Sequence, residues 1–131
     1  MNNLPKIYIA ANSQLEGIAV DLHLKRLFEG KFETISDWLY IPFLRTDEHS
    51  EEERREIAIK DVSQVKDCDI FVIVCSKSKC PGGKFVELGV ALGLGKKIYA
   101  IGEPENMLMY HSKIVYTRNL EHLAEEIDEI L

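Results

Sequence analysis

Glu87 is the residue most suited to covalent chemistry. It stands in Cys80-Pro81-Gly82-Gly83-Lys84-Phe85-Val86-Glu87-Leu88-Gly89, where a Gly-Gly turn follows the apolar run Ile70 to Cys75. Glycines allow a backbone to come close to a ligand, and open α/β sheets bind ligands at strand-to-helix turns. Glu87 falls about one turn into the following helix, where the positive end of the macrodipole favours an ionised carboxylate. That form suits a nucleophile and makes a poor general acid. The helix is apolar almost all round, with Phe85, Val86, Leu88, Val90, Ala91, Leu92 and Leu94. Such a helix is covered on more than one side, and a glutamate enclosed there needs a reason. The plainer alternative is a solvated glutamate in the first turns of a helix.

Other residues join it. Asp61 lies beside Ile57 and Val65, at the edge of a stripe of Ile57, Ala58, Val62 and Val65 that faces inward by helical geometry. It either looks across the top of the sheet or is an exposed helix aspartate. Asn12 and Ser13, in the turn Ala10 to Gln14, offer hydrogen bonds to a ligand or cap the next helix. Tyr8 sits within a strand, and a buried phenol normally finds a polar partner. Trp38 is a candidate for stacking on a flat ring, whereas Phe43 reads as packing. Gly82, Gly83 and Lys84, at the start of the Glu87 helix, are a possible phosphate cradle. The patterns GxGxxG and GxxxxGK[ST] are absent, so neither a dinucleotide cofactor nor a P-loop nucleotide is expected. His23, His49, His111 and His122 lack metal spacing, and no metal is expected. Cys68, Cys75 and Cys80 form no CxxC pair and read as reduced thiols, with Cys80 a possible reactive one on the functional loop.

Strand and helix patterns alternate along the whole chain. Strands are predicted at Lys6 to Ala11, Phe32 to Ser36, Asp69 to Ser76, Lys97 to Ile101 and Lys113 to Tyr116. Helices are predicted at Leu15 to Phe28, from the capping box Ser50-Glu51-Glu52-Glu53 to about Lys66, at Lys84 to Leu94, and at Leu120 to Leu131. A long aromatic loop runs from Asp37 to Glu48. The continuous apolar run of the third strand argues for a central parallel strand covered on both faces. The expected fold is α/β, a single doubly wound five-stranded parallel sheet, flavodoxin-like and Rossmann-like, with residues 1–131 in one domain.

With 131 residues, 46% hydrophobic and 29% charged, the composition is that of an ordinary soluble domain. The net charge is −6 and no Lys/Arg block is long enough to follow a phosphate backbone, so a nucleic acid polymer is not an expected partner. No apolar run reaches the roughly 20 residues that span a bilayer. The N-terminus lacks a signal-peptide core, and the expected location is cytoplasmic.

Taken together, these residues resemble the nucleoside 2-deoxyribosyltransferase family from Ile7 to about Tyr110. The resemblance rests on Lys6-Ile7-Tyr8-Ile9-Ala10, on Asp61 placed eight residues before Asp69, on Gly82 to Lys96 around Glu87, and on Glu105-Asn106-Met107-Leu108. It implies that Glu87 attacks the anomeric carbon of a 2′-deoxyribonucleoside, or of its 5′-monophosphate, and forms a covalent deoxyribosyl-enzyme. It implies that Asp61 binds the base or handles its proton and that Tyr8 orients Glu87. Asn106 would reach the sugar in a neighbouring subunit's site, so a homo-oligomer with shared active sites is expected. The implied partners are a deoxyribonucleoside or deoxyribonucleotide and free base. Pro81 stands where the transferases carry a further aspartate, and the chain ends in an acidic helix. The alternatives are therefore a 2′-deoxynucleoside 5′-phosphate N-hydrolase or a non-catalytic nucleotide-binding module. Ser76, Ser78, Cys80 and Glu87 also loosely resemble the segment of TIR-like NAD glycohydrolases.

Overall fold

The apolar runs pair side by side into one sheet of order β2-β1-β3-β4-β5, with every neighbouring pair parallel. The structure is a computed structural model and describes residues 3–42, 48–78 and 82–131. Along the chain, β1 (Lys6–Ala10) leads to α1 (Gln14–Leu27), then β2 (Glu33–Thr34) and a first 3-10 turn (Asp37–Leu39). There follow α2 (Glu51–Asp67), β3 (Ile70–Val74), α3 (Gly83–Gly93) and β4 (Lys97–Ile101). A second 3-10 turn (Met107–Tyr110), β5 (Ile114–Thr117) and α4 (Leu120–Asp128) complete it. The α/β doubly wound reading is thus the observed one, with β2 cut from the expected five residues to two. Expectations for Phe43, Cys80 and Pro81 lie outside the described residues.

Side-chain alternation along the strands divides the core into two layers. Ile7, Ile9, Ile70 and Val72 pack with Val20 and Leu24 of α1 and with Leu123 and Ile127 of α4. Tyr8, Ala10, Phe71 and Ile73 face the other way, onto Val65 of α2 and Leu88 and Ala91 of α3. Each fully buried aliphatic side chain contributes about 1.5–3 kcal/mol to this core. Serine side chains open the first two helices: Ser13 caps α1, and Ser50 with Glu53 forms the expected capping box on α2. Gly30 and Gly95 follow α1 and α3 with φ of 75° and 70°, a backbone conformation that stops a helix cheaply only at glycine.

Two helices are less covered than their sequences suggest. Of the expected inward stripe on α2, only Val65 is buried, and every residue from Glu51 to Lys60 is exposed. The reason is length. A helix of 17 residues runs about 25 Å, whereas the five-residue strands span about 16 Å, so the first half of α2 overhangs the sheet. Val86 and Leu94 of α3 are likewise exposed. Adjacent strands β1 and β3 send their following helices, α1 and α3, to opposite faces of the sheet. A crevice at the carboxyl ends of those strands is the usual ligand position in such a fold.

Candidate active site

Tyr8 points from the middle of β1 into the layer under α2 and α3, stacked on Phe71 of β3 with ring centroids 5.8 Å apart. Its hydroxyl donates a hydrogen bond to Oε2 of Glu87, which α3 presents from its second turn. Asp61 comes from the opposite side, on the last half of α2. A cavity of about 380 Å³ opens between them, lined by Asn12, Trp38, Asp61, Val62, Gly83, Val86 and Glu87. A second chamber of about 660 Å³ shares Asn12, Trp38 and Asp61 and extends past Ser13, Gln14 and Ile41 to His49 and Lys60. The residues picked from sequence at β1, the first loop, α2 and α3 therefore converge on one place.

Electrostatics correct one expectation. Glu87 was expected to favour its charged form at a helix N-terminus. Instead its carboxyl is pushed up to about 7, chiefly by burial and further by the charge of Asp61, with the Tyr8 hydrogen bond only partly offsetting them. Asp61 is also held above the usual carboxylate range by burial, against the pull of Lys60. Tyr8 is pushed up by burial and by Glu87, so it stays a neutral donor. The result is two carboxyl groups that both hold their protons more tightly than an exposed carboxylate does, one of them held in place by a phenol.

Trp38 lies on the first 3-10 turn and borders both chambers. Its indole nitrogen donates to the carbonyl of Ile9 at 2.8 Å. Gln14, which the sequence did not single out, donates to the carbonyls of Trp38 at 2.9 Å and Ile41 at 2.6 Å and so fixes that turn. Asp21 of α1, fully buried, accepts from Thr34 and Tyr40 and pairs with Lys25 at 2.8 Å. Gly17 is the closest fit: a Cβ there would come within 2.3 Å of Leu39. These three supports have no motif, because apart from the Asp21–Lys25 pair what they touch is distant in sequence.

Asn12 donates to Ser76 and Ser78 on the loop after β3. Ser13 caps α1 and borders the larger chamber. Gly82 takes φ of 102° as the N-cap of α3, a conformation that favours glycine, and Gly83 lines the smaller cavity. Lys84 departs from the phosphate-cradle idea. Its ammonium is buried, donating to the carbonyl of Val74 at 3.0 Å and paired with Glu105 at 2.5 Å. It ties α3 to the end of β3 and to the loop after β4. Asn106 is exposed and borders neither chamber; its side chain accepts from the Met109 amide and caps the second 3-10 turn.

Comparison with known proteins gives a family for the chain and relatives of its fold. A family model described as nucleoside 2-deoxyribosyltransferase matches residues 8–124. Among solved structures, the chain superposes on a 2-deoxyribosyltransferase from Bacillus psychrosaccharolyticus with a TM-score of 0.70 and 23% identity, covering 91% of this chain and 90% of that one. A CMP N-glycosidase from Clostridium botulinum gives 0.62 and 20%, with 95% and 98% covered. A conserved protein from Enterococcus faecalis gives 0.72 and 17%, with 98% and 100% covered. A search of curated proteins found no match.

Proposed function

Since the chain belongs to the nucleoside 2-deoxyribosyltransferase family, we propose that it cleaves the N-glycosidic bond of a 2′-deoxyribonucleoside or its 5′-monophosphate with Glu87 as nucleophile. The observation that carries this reading is the Glu87 carboxylate, hydrogen-bonded by Tyr8 inside a cavity that also holds Asp61 and Trp38. As the bond from the anomeric carbon to the base nitrogen lengthens, positive charge builds on the sugar. An adjacent carboxylate stabilises that charge and then closes the bond from carbon to Oε. Asp61, whose carboxyl holds its proton more tightly than usual, is suited to protonate the departing base. Trp38 offers a flat apolar wall for the base. Water or a second base then takes the sugar from Glu87.

The test is release of free base from a panel of deoxynucleosides and deoxynucleotides, followed by chromatography with and without an acceptor base. Glu87→Ala is expected to lower the rate by at least about 10³-fold. Equal rates for the variant and the wild type would remove Glu87 from the mechanism. Incorporation of the added base would assign transfer, and its absence hydrolysis.

We further propose a homo-oligomer, in the cytoplasm, in which a second copy covers the mouth of the site. Ile57 and Val86 border the chambers yet remain 41% and 64% exposed, and Met107, Leu108 and Tyr110 protrude after Asn106 with 71–82% exposure. Exposed apolar side chains, two of them at the chambers and three on one short segment, are a common mark of an interface.

A further inference from the structure

Resting on the glycosidic reading above, we infer that Lys84 is a positioning residue for that reaction: clamped between the Val74 carbonyl and Glu105, it fixes the rotation of α3 at which Glu87 meets Tyr8.

The start of α3 differs from that of the other helices. Ser13, Ser50 and Asn119 cap α1, α2 and α4 with a side chain. The N-cap of α3 is Gly82, and no acidic residue stands in the first turn. The helix that carries Glu87 therefore begins without a capping side chain. Lys84 stands there instead, against electrostatic preference twice over. A cation in the first turn opposes the helix macrodipole. An ammonium on a side chain 1% exposed has also lost its water. An ion pair so enclosed persists only with good geometry and further hydrogen bonds.

Lys84 has both. Its Nζ donates to the Val74 carbonyl at 3.0 Å, at the end of β3, and pairs with Glu105 at 2.5 Å, on the loop after β4. That loop is anchored on either side of Glu105. Before it, Gly102 takes φ of 107° and its amide donates to the Thr117 carbonyl at 2.9 Å. A Cβ on Gly102 would lie 2.9 Å from the Cys75 carbonyl oxygen, so loop and sheet are in close contact. After it, the Asn106 side chain accepts from the Met109 amide at 3.1 Å. Both acceptors of the Lys84 ammonium are thus fixed to the sheet.

The consequence falls on Glu87. Residues 84 and 87 are i and i+3 on one helix, neighbours on the same face, and both border the smaller cavity. Any rotation of α3 about its axis carries the two together. A tie at Lys84 opposes that rotation and keeps the Glu87 carboxylate on the Tyr8 hydroxyl. The groups that act on the Glu87 charge are Tyr8 of β1 and Asp61 of α2, whereas the Lys84 charge is matched by Glu105. The role of Lys84 is geometric.

The experiment uses the full chain with Lys84→Met, and with the double change Lys84→Met and Glu105→Gln, which leaves neither partner charged and alone. Base release is expected to fall about 10²-fold in kcat. KM is expected to stay within about threefold, because Trp38 and Asp61 sit on other elements. Loss of folded protein alone would lower the rate and leave its pH dependence in place. A displaced Glu87 moves it. Freed from burial, the carboxyl returns toward the ordinary carboxylate range, so the ascending limb of kcat/KM is expected to shift down by about one pH unit or more. The same shift is expected in the titration of the Glu87 carboxyl carbon by NMR, which needs no turnover. If the single variant does not fold, the double variant carries the test. A folded variant with wild-type kcat, or with the Glu87 titration unmoved, overturns the inference. If the wild type releases no base from any substrate, the glycosidic reading fails and the NMR titration decides the placement of Glu87 separately: a downward shift upholds it, and no shift overturns it.

Discussion

Glu87 is subject to two opposed influences, and their relative size sets its behaviour. The α3 N-terminus favours the carboxylate by about 0.3–1 kcal/mol. Burial and the Asp61 charge oppose it and leave the group titrating at about 7. The nucleophile must be ionised while Asp61 holds the proton it gives to the base, so kcat/KM is expected to rise with pH as Glu87 ionises and to fall again as Asp61 loses its proton. Because the Asp61 charge raises the Glu87 value, Asp61→Asn is expected to move the ascending limb to lower pH and, without the proton donor, to lower the maximum. A pH–rate profile of kcat/KM for both proteins checks this; a flat profile between pH 5 and 8 would show that the titrating nucleophile is misassigned. The helix dipole could be read from the sequence because it depends on residues a few positions apart. The burial that outweighs it could not, because it arises where α3 packs against β1 and places Glu87 on Tyr8, a residue 79 positions away. Lys84 teaches the same lesson. After Gly-Gly it reads as a phosphate ligand, and only the positions of the Val74 carbonyl and Glu105 show where the ammonium goes.

At the scale of elements, the site depends on how closely α1 lies against the first 3-10 turn. Gly17 allows this approach: Leu39 fills the space where a side chain would begin, and Trp38 is close behind. Gly17→Ala gains up to about 1 kcal/mol of helix propensity. It also forces Leu39, itself 1% exposed, out of its place, and overpacking costs about 1–3 kcal/mol. Net destabilisation of about 1–2 kcal/mol is expected by denaturant unfolding, together with a raised KM as Trp38 moves. A more stable variant with unchanged KM would show that the turn yields freely. Strand and helix positions were legible because their periodicities differ and capping residues mark the ends, as at Ser50 and Gly95. The shortness of β2 was not, since Phe32 and Ile35 carry strand-like side chains while only Glu33 and Thr34 pair in register with β1, Ile35 adding a single amide bond to the Ile7 carbonyl.

Across the whole molecule, apolar side chains stay exposed on both sides of the sheet: Leu15, Leu22 and Leu27 of α1 on one, and Ile57, Ile59 and Val86 of α2 and α3 on the other. Ile57 and Val86 border the chambers. The sequence suggested that α3 was covered on more than one side, and its own chain supplies only part of that cover. Light scattering at micromolar concentration is expected to give a multiple of 15.0 kDa, and Ile59→Lys with Val86→Lys is expected to shift it towards the monomer. A monomeric wild type would argue against shared sites. No helix among the described residues is long and apolar enough to cross a bilayer.

Trp38 is the only tryptophan in the chain. It stands between the two chambers, packs on both core layers, and is fastened to β1 through Ile9. The protein therefore carries one intrinsic optical probe, placed at the candidate site and nowhere else. Its emission is expected to quench and shift when a base stacks on the indole, so a fluorescence titration can give an occupancy curve without labelling, even for a variant such as Glu87→Ala that does not turn over.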